Sequence, residues 1–231
     1  MPDYPQGTSE EGCILLFSGG RDSSIAAIRL AQQFPRLILM TVTTAHLDGI
    51  QAVHKRLMEL KQFLPPKAEW VRAIAVNENL VSIGKVESCL PCHRQYLTIA
   101  VSLAVREGIR NIAMGYAGYQ SEWLEQTPLA IERLRVVLAE LGLNLLLPAA
   151  GLRSKDEARE ILRQHGLSDV ALEQKCLKQQ FNDDDLTAEQ VTAEVDAWAT
   201  ELRTAFNTGP VGIVLKPILR LQGVTQEDDL N

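Results

Sequence analysis

Cys13-Ile14-Leu15-Leu16-Phe17-Ser18-Gly19-Gly20-Arg21-Asp22-Ser23-Ser24-Ile25-Ala26-Ala27-Ile28-Arg29-Leu30 reads as a buried strand, a glycine–serine turn and a helix in immediate succession. Adjacent glycines let a turn bring its N–H groups against an anion with no Cβ in the way, and the helix that follows adds unpaired donors and a positive dipole end. Ser18, Ser23 and Ser24 contribute hydroxyls. Asp22 suits an anion site once a divalent cation lies between its carboxylate and phosphate oxygens. The pattern is not a Walker A loop: Gly-x-x-x-x-Gly-Lys-Ser/Thr is absent, and no lysine follows Gly20 before the helix. The stretch predicts a phosphate cradle at the carboxyl end of a first parallel strand.

Outward from that unit, hydrophobic period and punctuation alternate as a parallel sheet requires. Strands are predicted at 13–17, 37–43, about 69–76, 111–114 and 143–147, and helices at 23–33, 48–63, 91–107 and 128–141. Such alternation implies right-handed βαβ units with helices on both faces. Residues 1–150 are expected to form the nucleotide-binding domain. Residues 151–231 are expected to form a mainly helical extension, with Ser154 capping a helix to His165 and a second helix over 187–206. A short edge strand is expected at 211–215, and disorder in the tail from 225.

The segment Ser18-Gly19-Gly20-x-Asp22-Ser23-Ser24 resembles the signature of the PP-loop ATP pyrophosphatases. That resemblance implies the doubly wound, five-stranded HUP-like sheet of the adenine nucleotide α-hydrolases, with ATP at the carboxyl ends of the strands. It also implies cleavage of ATP between the α and β phosphates and adenylation of a carbonyl oxygen. ATP would be bound by Ser18, Gly19, Gly20, Asp22, Ser23, Ser24, Thr43 and Gly115, with adenine near Thr41 to Thr43 and Mg2+ at Asp22.

Four cysteines occur: Cys13, Cys89, Cys92 and Cys176. Cys13 begins the first strand and reads as a small buried apolar residue. Cys89-Leu90-Pro91-Cys92 precedes a helix, where N–H donors favour thiolate, and a Cys-x-x-Cys pair in such a chain is more often a metal or redox site than a structural disulfide. The order of PP-loop, Cys-x-x-Cys roughly 70 residues on and one cysteine roughly 80 further, with Arg94 two places past Cys92, is similar to the tRNA thiolases of the thiocytidine and two-thiouridine type. The likeness spans residues 13–177. It implies that Cys89, Cys92 and Cys176 hold a 4Fe-4S cluster whose fourth iron lacks a protein ligand, making Cys176 and Asp22 the catalytic expectations. Zn2+ on the three thiolates, with His93 or water, and a redox dithiol remain open.

After the fourth strand those relatives commonly carry a Gly-His segment with paired aspartates; here the stretch is Gly115-Tyr116-Ala117-Gly118-Tyr119-Gln120-Ser121-Glu122-Trp123. Its aromatics suit stacking on a planar heterocycle or packing onto the sheet, so Tyr116, Tyr119 and Glu122 are candidate substrate residues, and Glu122 is a candidate second carboxylate near magnesium. The loop also faintly resembles that of the cyanodeazaguanine synthases, although their C-terminal cluster of four zinc-binding cysteines is missing.

Composition narrows the acceptor. Residues 182–231 hold ten acids and three bases, leaving the first 181 with one net positive charge. No broad basic surface for nucleic acid follows from that balance, although Arg133, Arg135, Arg153, Lys155, Arg159 and Arg163 could form a local patch. The leading expectation is an AMP-forming sulfur transferase acting on a nucleobase-like small molecule, or on a tRNA base, fed by a sulfur-donor protein or sulfide. Amidation or nitrile formation around a zinc site and a non-catalytic nucleotide sensor are the alternatives. No stretch approaches a membrane span, the polar N-terminus is neither signal nor transit peptide, and a cytoplasmic protein, possibly a homodimer, is expected.

Overall fold

A computed structural model describes residues 12–75, 82–83, 86–177, 186–209, 213–216 and 218–221. The polar N-terminus, the Asp183-Asp184-Asp185 run, Pro210 and the tail from 225 lie outside the described residues. The strands are β1 (Gly12–Leu16), β2 (Arg36–Thr43), β3 (Leu47–Asp48), β4 (Glu69–Ala75), β5 (Ser82–Ile83), β6 (Val86–Glu87), β7 (Asn111–Met114), β8 (Asn144–Leu146), β9 (Lys175–Cys176), β10 (Ile213–Leu215) and β11 (Leu219–Arg220). The α-helices are α1 (Arg21–Ala31), α2 (Ile50–Leu60), α3 (Cys89–Glu107), α4 (Pro128–Glu140), α5 (Lys155–Gln164) and α6 (Ala188–Thr208).

Five strands pair in parallel in the order β4-β2-β1-β7-β8, the doubly wound sheet the sequence predicts. The short edge strand expected at 211–215 is β10, which pairs antiparallel with β4, and β11, which the sequence reading does not anticipate, pairs antiparallel with it too. The C-terminal segment therefore supplies strands as well as helices, covering an edge that would otherwise expose unpaired backbone.

The strand pleat sorts side chains into two cores, as a sheet covered on both faces requires. Cys13, Leu15, Leu37 and Leu39 join one cluster with Ile25 and Ile28 of α1, Val53 and Leu57 of α2, and Ala158 and Leu162 of α5. Ile14, Ile38, Met40 and Val42 join the other with α3, α4 and α6. On this second face Leu202 of α6 is fully buried, which stabilises the fold by roughly 2 kcal/mol. Ser102 of α3 donates to the Ala205 carbonyl of α6 at 3.1 Å. Arg94 pairs with Glu194 at 3.0 Å and Glu201 at 3.3 Å, tying the start of α3 to α6. Cys13 is wholly buried in the first core, and burial pushes its thiol far up. Among the described residues no helix is long and apolar enough to cross a membrane.

Candidate functional site

The turn between β1 and α1 lies at the carboxyl ends of the parallel strands, where open α/β sheets bind ligands. Gly19 has φ of 82°, and a Cβ there would lie 2.2 Å from the Leu172 carbonyl oxygen, so both its conformation and its surroundings demand glycine. The Gly20 amide donates to Ser18 Oγ at 3.1 Å, and Ser18 Oγ lies 3.1 Å from Ser23 Oγ. Ser24 is fully buried and donates to the Gly20 carbonyl at 2.6 Å, so its hydroxyl closes the turn. Thr41 supports the loop from β2 by donating to the Phe17 carbonyl at 2.8 Å while accepting from Trp70 Nε1 at 3.0 Å. Thr43, at the end of β2, accepts from Arg72 Nε at 3.4 Å. Gly115, just beyond β7, leaves no room for a side chain: a Cβ would come within 2.7 Å of Ser23 Cα.

Asp22 stands in the first turn of α1, and the Tyr119 hydroxyl donates to its two oxygens at 2.8 and 2.7 Å. Loss of water raises the Asp22 carboxyl above its ordinary range, against the pull of the Tyr119 hydrogen bond, Arg21 and Lys155. Burial and the hydrogen bond to Asp22 raise the Tyr119 phenol, which keeps it a donor. Of the aromatic and acidic residues in the loop after β7, Tyr119 meets the cradle. Glu122 and Trp123 are exposed. Tyr116 is buried in the core, where its hydroxyl lies 2.7 Å from His93 Nδ1.

A segment that carries no sequence motif crosses the mouth of the cradle after α5. Arg21 Nε donates to the Asp169 carbonyl at 2.8 Å, and the buried Arg56 guanidinium donates to the Val170 carbonyl at 2.6 Å while pairing with Glu59 at 2.7 Å. Gln174 Nε2 donates to the Val42 carbonyl at 2.8 Å. Between these anchors Glu173 hangs over the glycines: a Cβ on Gly20 would sit 2.3 Å from Glu173 Oε2. Desolvation raises its carboxyl, Arg21 and Lys155 pull it down, and Asp22 pushes it up. The Glu173 carboxylate thus lies beside the donors that would face a phosphate. A Glu173→Gln variant is expected to bind ATP about fivefold more tightly without magnesium, since removing one nearby like charge in a partly solvated site is worth ~1 kcal/mol. Isothermal titration of the two proteins checks this; equal or weaker affinity in the variant rejects it.

Segment 169–177 also carries the third cysteine. β9 pairs antiparallel with β3, setting Cys176 opposite Leu47, and the Leu177 amide donates to the His46 carbonyl at 2.8 Å. Cys89 and Cys92 occupy the first turn of α3, whose N-cap Ser88 accepts from the Leu90 amide. His46 brings the cysteine-bearing elements together, its Nε2 3.7 Å from Cys92 Sγ and its neighbour Leu47 paired with Cys176; burial raises the Tyr96 phenol, and the charges of Cys92, Cys89 and Cys176 act in the same direction. None of the cysteines is in a disulfide. Among the described residues no group of three His, Cys, Asp or Glu side chains able to hold a metal ion is present. His93 faces away from such a role, with Glu125 3.8 Å from its Nε2 and burial lowering its pKa.

Five of the six basic residues expected to form a local patch are paired: Arg153 with Glu157, Arg159 with Asp156, Arg163 with Glu160 and Asp169, Arg133 with Asp196, and Arg135 with Glu132. Lys155 instead lies within electrostatic reach of Asp22 and Glu173.

No protein-family model and no curated protein sequence matches the chain. Solved structures do. A 4-thiouridine synthetase, solved as an RNA complex with bound ATP, superposes with a TM-score of 0.57 at 18% identity over 90% of this chain. The chain spans 55% of that synthetase, about half its length. Lower TM-scores link it to NMN synthetase from Francisella tularensis, 0.48 at 11% identity over 90% of each chain, and to the U34-tRNA thiolase NcsA from Methanococcus maripaludis with its 4Fe-4S cluster, 0.46 at 14% identity over 94% of this chain and 74% of that one. The superposition on the 4-thiouridine synthetase shows the HUP-like fold expected from the PP-loop.

Proposed function

We propose that the protein is an ATP-dependent, AMP-forming sulfur transferase that adenylates a carbonyl oxygen of a nucleobase-like molecule and leaves sulfur in its place. The observation that carries this reading is that His46 Nε2 lies 3.7 Å from Cys92 Sγ while the next residue, Leu47, pairs with Cys176, so the strand with the third cysteine lies beside the Cys-x-x-Cys turn, three residues beyond the Glu173 that overhangs the ATP cradle. Cys89, Cys92 and Cys176 would supply three thiolates, a donor set that iron–sulfur clusters use. A 4Fe-4S cluster held by these thiolates would supply a binding site for the incoming sulfide.

The chain's own residues supply the rest. Ser18, the Gly19–Gly20 backbone and Ser23 bind the triphosphate, and the N-terminal end of α1 favours its charge. Asp22, which accepts from the Tyr119 hydroxyl, would hold a magnesium ion that neutralises phosphate charge. The acceptor's carbonyl oxygen attacks the α-phosphorus, pyrophosphate leaves, and the oxygen later departs with AMP as sulfur bonds to the carbon. Catalysis rests on positioning and on neutralising phosphate charge. Pairing of the arginines on α4 and α5 with neighbouring acids favours a small heterocycle over a tRNA base as acceptor. Exposed Trp123 provides an aromatic surface for such a ring.

Protein purified without oxygen is expected to carry about four irons and four sulfides per chain, with broad visible absorption, as three thiolate corners of a 4Fe-4S cluster require. Stoichiometric zinc, or no metal after anaerobic reconstitution, rejects this reading.

A further inference from the structure

The Tyr119 hydroxyl lies 2.8 and 2.7 Å from the two oxygens of Asp22, so a single donor sits midway between them. That point, on the bisector of the carboxylate, is the place a cation takes when it binds both oxygens at once. The chain holds the phenol there. The Tyr119 amide donates to the Leu152 carbonyl at 3.1 Å, and the Gln120 amide donates to the Ala117 carbonyl at 2.9 Å. Gly118 permits the close approach behind it, since a Cβ there would lie 2.5 Å from the Ala150 carbonyl oxygen. The ring itself packs against the apolar core shared by α1 and α5.

Magnesium fits Asp22, which stands in the first turn of α1 beside the turn that would face the phosphates, because that ion takes few carboxylates and fills its octahedron with phosphate oxygens and water. A carboxylate has about four lone-pair sites, and a donor on the bisector faces the inner pair. The outer pair stays open to a cation attached through one oxygen. Calcium is larger, takes about six to eight oxygens and readily chelates both oxygens of a carboxylate, a position that the phenol fills. We propose that Tyr119 is a specificity-determining residue of the metal–nucleotide site: by holding the chelating position on Asp22, it admits a small, octahedral, singly attached cation such as magnesium and disfavours calcium. The inference rests on the reading above that Asp22 holds the metal.

The probes are the magnesium and calcium complexes of an ATP analogue whose α–β bridge is methylene, titrated calorimetrically into wild type, Tyr119→Phe and Asp22→Asn. Tyr119→Phe keeps the ring and its packing, and thermal melts establish that each variant is folded. In Tyr119→Phe the preference for the magnesium complex over the calcium complex should fall about tenfold, the weight of one hydrogen bond to a charged group, chiefly through tighter calcium binding. An unchanged preference, or equal weakening of both complexes, overturns the proposal. Wild type saturated with the calcium complex should also show a tyrosine ultraviolet difference signal, absent with magnesium and absent from Tyr119→Phe, because calcium must push the phenol aside. A signal that does not distinguish the metals overturns the proposal as well. Asp22→Asn separates this inference from the reading beneath it. If that variant binds both complexes as wild type does, Asp22 holds no metal and both fall; if it loses them while Tyr119→Phe keeps the wild-type preference, the proposal alone fails.

Discussion

Asp22→Asn is expected to lower formation of AMP and pyrophosphate from ATP by about a thousandfold or more, while leaving the protein folded. The magnitude follows from the charge that is lost. An anionic ligand that holds magnesium on the phosphates supplies charge stabilisation of several kcal/mol at the moment of α–β cleavage, and an amide supplies almost none. Asparagine keeps the size of the side chain and an acceptor for the Tyr119 hydroxyl, so the change is one of charge. Stability should move the other way. Desolvation raises the folded-state pKa of Asp22 above its ordinary 3.8, so the native state disfavours the carboxylate. The wild type therefore loses stability as pH rises from the unfolded pKa through the folded one, and the asparagine variant should be the more stable of the two at neutral pH. That advantage should vanish below pH 3.8. Pyrophosphate release and paired thermal melts at neutral and acid pH make the measurement. A variant that retains activity removes Asp22 from the phosphate site, and one that loses both activity and stability assigns it to folding.

The cradle is legible in the sequence because its signal is local. A strand, two glycines and a helix in consecutive residues leave one way to turn, and long apolar segments of fixed period mark the five parallel strands. The loop after β7 is legible only in part. Ile112, Met114 and Tyr116 share one pleat face and one core, whereas Ala113, Ala117 and Tyr119 fall on the side of α1. Counting alternate residues sends Tyr116 inward and Tyr119 to the cradle; aromatic character alone does not tell them apart. Glu173 and His46 escape a reading of the sequence because what positions them is non-local. The β3–β9 pairing joins two-residue strands that have no period to detect, and it brings together positions more than a hundred residues apart. The available hints are position, not type: His46 follows the carboxyl end of a parallel strand, and Glu173 lies three residues before the third cysteine of the candidate cluster. Antiparallel β11 is obscure for a similar reason, since its pairing partner is an edge defined by the whole sheet, whereas β10 falls in the expected edge strand at 211–215.

Cys176→Ala is expected to abolish sulfur transfer while leaving the ATP dissociation constant within about twofold, a free-energy change of ~0.4 kcal/mol or less. The separation is demanding because one short segment serves both places: Leu172 and Glu173 press on the glycines, and Cys176 lies on β9. The contacts that hold that segment are mostly backbone or come from other side chains. Asp169 and Val170 offer carbonyls to Arg21 and Arg56, Gln174 reaches the Val42 carbonyl, and the β9 ladder is indifferent to what Cys176 carries beyond Cβ. Alanine therefore removes a sulfur without freeing the strap, and ATP should still meet the same cradle. The thiol deleted is the third of the proposed ligand set, and a cluster left with two protein thiolates would lack a corner. Iron content should fall with transfer activity, while adenylation, read as AMP formed per ATP bound, persists. Loss of ATP affinity together with transfer would mean that the cysteine holds the strap in place and that the thiols are structural; retention of full transfer would exclude Cys176 from the chemistry and leave Cys89 and Cys92 as a dithiol.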